Sequence, residues 1–108
     1  MFNEKYRIIP NDVINLGISL EKLGVNGLAW KKDEVKKIVE ILRRKKIPVL
    51  GGDVYKIVNN KIQSTYDSWF LNNNGKLDFV DKSFKKTISY IEEYESVNCG
   101  DNIYVLVF

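Results

Sequence analysis

The chain has 108 residues, 44% hydrophobic and 29% charged, which is the balance of one soluble globular domain (1–108) with a modest core; its net charge of +3 is low for a nucleic-acid binder. There is no histidine, the commonest general base and metal ligand near neutral pH, and Cys99 is alone, which excludes an intrachain disulfide and a cysteine metal cluster. No apolar run approaches the roughly 18–20 residues that span a bilayer, and the mixed-charge start MFNEKYRIIPND lacks a signal-peptide core, so a cytosolic protein is expected.

Lys5 to Ile9 reads as an edge strand cut by Pro10, after which Asn11 or Asp12 can cap a short helix through Val13, Ile14 and Leu16. Gly17, Gly24 and Gly27 punctuate the next stretch, so Ile18 to Trp30 is expected to hold one or two helical turns and irregular backbone. Trp30 reads as a core anchor ahead of the next helix. That helix, Asp33 to Lys46, is the clearest in the chain. Val35, Ile38, Val39 and Leu42 form its apolar stripe, with acids in its first turn and bases in its last.

Ile47 to Leu50 is short and apolar and reads as a strand entering the core. Gly51-Gly52 is expected to form a corner, where missing side chains permit positive φ or a close backbone approach. Val54, Lys56 and Val58 then alternate with Tyr55 and Ile57, Asn59-Asn60 makes a two-residue turn, and Lys61 to Thr65 runs back. Both faces of this hairpin carry bulky groups, which predicts one covered and one partly covered face.

Leu71 to Gly75 reads as a loop, and Asp81 as the N-cap of a helix over Lys82 to Tyr94 with the stripe Phe84, Ile88, Ile91 and Tyr94. The final run Ile103 to Phe108 is strongly β-prone and belongs inside a sheet, paired with Val49 or the hairpin. The expected architecture is α+β: four or five largely antiparallel strands with two main helices on one face.

Charge is segregated along the chain. Lys31 to Lys46 carries eight bases against three acids, a local +5, whereas Thr87 to Phe108 carries four acids and no base, a local −4. The basic helix 33–46, with Trp30 and Trp69 as stacking groups, is the basis of an alternative reading as a nucleic-acid- or other ligand-binding module. Against that reading, the bases alternate with the helix's own core stripe, and the tryptophans are spaced like core residues. Catalysis has little support. Cys99 has no histidine to activate it, Ser64, Ser68 and Ser83 lie in no nucleophile motif, and Gly51-Gly52-Asp53 lacks the parts of a phosphate loop. Asp53 and Asp67 are the one pair to weigh for acid–base work, since the hairpin brings their regions together. The competing view has each carboxylate holding backbone N–H groups. No cofactor and no enzymatic activity are expected.

The block Ile47-Pro48-Val49-Leu50-Gly51-Gly52-Asp53-Val54-Tyr55, followed by Thr65-Tyr66-Asp67-Ser68-Trp69, resembles the bacterial Immunity protein 40 family. Gly17-Ile18, Ala29-Trp30 before a helix, and a late helix ending in tyrosine before a C-terminal β run extend the resemblance over nearly the whole chain. The resemblance implies a cytosolic antitoxin of a polymorphic toxin system, whose partner is the C-terminal domain of the cognate toxin. On that basis Asp53, Tyr55, Tyr66, Asp67 and Trp69 are the candidate partner-binding residues. In the competing reading Tyr55 and Trp69 fill the core while Gly51, Gly52 and Asp53 fix the corner. For Trp69 and the glycines the structural role has the stronger case, and for Tyr66 and Asp67 the contact role.

Overall fold

The computed structural model describes residues 4–72 and 78–108. Five strands form a single antiparallel sheet: β1 (Ile18–Ser19), β2 (Leu28–Lys31), β3 (Gly51–Val58), β4 (Lys61–Phe70) and β5 (Asp101–Val107), in the order β1-β2-β5-β3-β4. Among the described residues three α-helices accompany it, α1 (Asn11–Ile14), α2 (Lys32–Arg44) and α3 (Phe79–Val97). The predicted α+β class and the sheet-plus-two-helix architecture are what the structure has.

The β3–β4 hairpin closes where expected. Asn59 and Asn60 sit at φ 51° and 64°, the left-handed pair that matches the twist of the flanking strands. The β-branched C-terminal run becomes β5 and takes the protected interior position between β2 and β3. Register then decides the faces. Val54, Asp67 and Tyr104 lie in one row, as do Gly52, Trp69 and Leu106. These rows face α2 and α3, whose buried side chains Val35, Ile38, Val39, Leu42, Ile91 and Tyr94 join them in the main core. Trp30 is fully buried there and donates its indole N–H to the Val13 carbonyl at 2.9 Å. The opposite face carries a second cluster, in which Leu20, Ala29 and Ile103 are buried and Ile18, Tyr55, Ile57, Ile62 and Val105 pack against them.

Several local expectations are corrected. Lys5 to Ile9 is not an edge strand: Glu4–Ile8 is a 3-10 helix closed by the Ile9 N–H on the Tyr6 carbonyl at 3.0 Å. Its three-residue repeat buries Tyr6 and Ile9 together, which an extended chain could not do on one face. Neither Asn11 nor Asp12 caps α1, which starts at Asn11 with Pro10 in the cap position. Ile18 to Trp30 holds one helical turn as expected, the 3-10 turn Glu21–Leu23, but the backbone on either side of it is not irregular: it forms β1 and enters β2, which pair with each other.

Ile47 to Leu50 is not a regular strand. Just past the end of α2, Lys46 sits at φ 59°, with the Ile47 N–H returning to the Leu42 carbonyl at 2.9 Å, and Pro48 has no N–H for a ladder. Only Leu50 reaches β5, through its N–H to the Val107 carbonyl at 2.7 Å. The glycines are consequently not a corner. They open β3 inside the ladder, and a Cβ on Gly52 would overlap the Trp69 indole and the Val105 carbonyl oxygen.

α3 begins at Phe79, so Asp81 lies in its first turn instead of capping it; there it accepts the Arg43 Nε–H at 3.1 Å. The buried stripe of α3 runs through Ser83 and Thr87, with Phe84 and Ile88 only half-buried. Two hydroxyls replace the expected apolar contacts because each has partners. Ser83 accepts the Val49 N–H at 3.1 Å and donates to the Val80 carbonyl at 2.9 Å, and Thr87 accepts the Trp69 indole N–H at 3.3 Å. Of the loop predicted at Leu71 to Gly75, residues 73–75 lie outside the described residues.

Candidate functional site

The five candidate residues separate by strand parity. Asp53 pairs with Ser68 and Val105, and Tyr55 with Ser64 and Ile103, so both side chains belong to the sheet face away from the helices. Asp67 and Trp69 belong to the helix face. Tyr66 lies between them in an irregularity of β4: Val54 opposes Asp67 and Tyr55 opposes Ser64, which leaves Thr65 and Tyr66 without ladder partners.

This bulge is held by its own hydroxyls. Thr65 Oγ1 donates to the Val54 carbonyl at 2.7 Å and accepts the Asp67 N–H at 3.1 Å, while Ser64 Oγ accepts the Tyr66 N–H at 3.1 Å. Tyr66 sits at φ 63°, a sparsely populated region for a residue with a bulky side chain, and is 93% exposed on the edge strand.

The helix-face members are tied into an aromatic network. Trp69 is buried and stacks on Tyr90 at 4.7 Å, Tyr90 stacks on Tyr94 at 5.9 Å, and Tyr94 meets Tyr104 edge-on at 6.2 Å. Tyr94 donates its hydroxyl to the Asp67 carboxylate at 2.8 Å, and Tyr104 donates to Glu95 at 2.6 Å. Burial raises the pKa of both phenols, and the carboxylates they bond raise it further. Tyr90 is raised too, by burial and then by the nearby Asp67. Asp67 is thus a surface carboxylate that pins the end of α3 to β4.

The open face is built differently. Asp53 is exposed, and among the described residues no hydrogen bond or ion pair holds its carboxylate. The neighbouring Tyr55 is half-buried, with its phenol raised by burial and secondarily by the Asp53 charge. Asp53 and Asp67 therefore project from opposite faces of adjacent strands and do not form an acid–base pair. Sequence reasoning missed Phe70, Val105 and Val107, the apolar residues around Asp53. Their signal was the pairing of Trp69 with Phe70 and the continuous apolar run in β5, since consecutive apolar strand residues supply both faces.

The basic helix is partly neutralised within the fold. Lys36 pairs with Glu92 at 3.2 Å, Arg43 with Asp81 at 3.1 Å, and Arg44 with Glu40 at 3.4 Å. Among the described residues no group of three His, Cys, Asp or Glu side chains could hold a metal ion, and no helix is long and apolar enough to cross a membrane.

The model of the Immunity protein 40 family matches residues 19–108, which takes in the fold from the end of β1 through β5 and leaves out the N-terminal 3-10 helix and α1. The chain belongs to the Immunity protein 40 family. No curated protein and no solved structure matches it.

Proposed function

We propose that the chain is a cytosolic antitoxin that binds the C-terminal domain of a cognate polymorphic toxin and neutralises it by stoichiometric contact, without catalysis of its own. The observation that carries this reading is membership of an immunity-protein family across residues 19–108. Two surface features support it. Tyr66 is an exposed aromatic on a backbone that the Ser64 and Thr65 hydroxyls already hold in an uncommon conformation, so little backbone entropy remains to be lost when it enters a partner's pocket. The open face presents Asp53 and Tyr55 without a covering helix. In this reading Asp53, Tyr55 and Tyr66 face the toxin, while Asp67 and Trp69 fix the strand that carries them.

The test is co-expression with the C-terminal region of the protein encoded by the adjacent open reading frame. Rescue of growth together with co-purification of the two chains is the expected result. A toxic neighbour that is neither rescued nor bound contradicts the proposal.

A further inference from the structure

The sheet face away from α2 and α3 has two halves. Toward β1 and β2, Leu20 folds over Ala29 and Ile103, and all three are fully buried. Toward β3, β4 and the end of β5 the face stays accessible: Phe70 is 75% and Val107 43% exposed, and Tyr55, Ile57, Ile62 and Val105 are only partly covered.

The rows of this half are set by the register. Phe70, Gly51 and Val107 form one, Ser68, Asp53 and Val105 the next, and Ser64, Tyr55 and Ile103 the third. Asp53 is the middle residue of the middle row. By the same alternation the charged residues that β3, β4 and β5 contribute to this face are Asp53 and Asp101, both acidic, while Lys31 of β2 continues the third row beyond Ile103, in the half that Leu20 covers. Lys56 and Lys61 alternate to the other side. An unpaired carboxylate with Tyr55, Val105, Phe70 and Val107 around it, and the small side chains of Ser68 and Ser64 on its β4 side, suits a cation whose hydrocarbon stem can lie along the apolar part of that surface.

Building on the immunity reading, we propose that this open half-face is where the toxin docks and that it receives a basic segment with apolar flanks. A lysine or arginine of the toxin seats against Asp53 with its stem over Tyr55 and Val105, and apolar neighbours of that residue cover Phe70 and Val107. The charge pattern selects this occupant over two others. A second copy of the chain, docked isologously, would bring acidic residues against acidic residues. A nucleic acid would bring phosphates onto the Asp53 and Asp101 carboxylates, and the base that β2 adds to this face, Lys31, lies beyond Ile103 rather than beside Asp53.

The experiment measures binding of the C-terminal domain encoded by the adjacent open reading frame at low and high salt, with melting temperature followed in parallel. The variants are D53N, D53E, F70S and, as a matched charge removal on α3, E93Q. D53N is expected to weaken binding at least about tenfold and to flatten its salt dependence, with D53E recovering much of the loss. F70S is expected to weaken binding about tenfold, E93Q to bind like the unmodified chain, and none of the four to shift melting appreciably. If the unmodified chain binds but D53N and F70S bind equally well, the docking face is wrong and the immunity reading stands. If the unmodified chain does not bind, both fall. Affinity losses that track losses of melting temperature assign the residues to the fold, and a self-associated dimer dispersed by F70S assigns the face to a second copy; either result overturns the proposal.

Discussion

On the helix-covered face of the sheet, Trp30, Trp69, Tyr94 and Tyr104 are buried, and each directs its polar atom to a partner: the Val13 carbonyl, Thr87, Asp67 and Glu95 respectively. On the open face, Tyr55 and Phe70 remain accessible, and Asp53 stands beside them with no intramolecular partner among the described residues. Aromatic residues alternate with polar ones on both sides, so composition does not separate the faces. Satisfaction does: the covered face has its hydrogen bonds closed internally, and the open face leaves its central charge available to another molecule.

The sharpest way to break this contrast is to remove the keystone of the covered face. Trp69→Ala deletes the stack on Tyr90 and the bond to Thr87, and is expected to cost about 3–5 kcal/mol in urea unfolding, enough to leave the domain marginal or unfolded. Tyr104→Phe removes a charge-assisted hydrogen bond and should cost about 1.5–3 kcal/mol.

Tyr104 also sets a pH signature. Its phenol is raised above the ordinary value because burial and the Glu95 carboxylate disfavour the phenolate. The folded chain therefore holds a proton that the unfolded chain releases. The resulting stability is complete below about pH 10, the unperturbed tyrosine value, and is lost as pH rises above it. A stability profile against pH should fall from about pH 10 upward and fall less steeply in Y104F. A smaller effect is expected for Thr87→Val, which leaves the Trp69 indole N–H unpaired at a cost of about 1–3 kcal/mol in the same assay. Smallest of all, Asp53→Asn and Phe70→Ser should stay within about 0.5 kcal/mol of the unmodified chain. Large losses there would make the open face a structural element and erase the distinction.

Much of this contrast was legible in the sequence. The α2 stripe, the Asn59-Asn60 turn and the apolar β5 run each rest on one local rule, and each placed its element correctly. The alternation of Val54 with Tyr55 and Ile57 also foretold a hairpin with two unequal faces. The elements that misread depend on partners distant in the chain. Tyr6 turns inward because Trp30 meets it edge-on at 5.8 Å, so a stretch with strand-like composition coils into a 3-10 turn. Gly51-Gly52 looks like a corner until Trp69, seventeen residues later, is known to lie across it. Ser83 and Thr87 look exposed until their acceptor roles toward Val49 and Trp69 are counted.

For the candidate site, the sequence supplied the residue types and the strand supplied the sorting. GGDVY and TYDSW read as one surface, but the pleat sends Asp53 and Tyr55 to one side and Asp67 and Trp69 to the other. The irregularity that frees Tyr66 could not be read from spacing alone, because it arises from a register shift between two strands.

The most direct test of the proposal that the open face docks a toxin is a methyl NMR titration of the protein with the C-terminal domain encoded by the adjacent open reading frame. Ile57, Ile62, Val105 and Val107 report the open face, and Ile41, Val80 and Val97 report the outer surfaces of α2 and α3. Shift changes are expected to concentrate on the first group and leave the second unmoved. Changes concentrated on the helices, with the open-face methyls silent, would contradict docking on the open face.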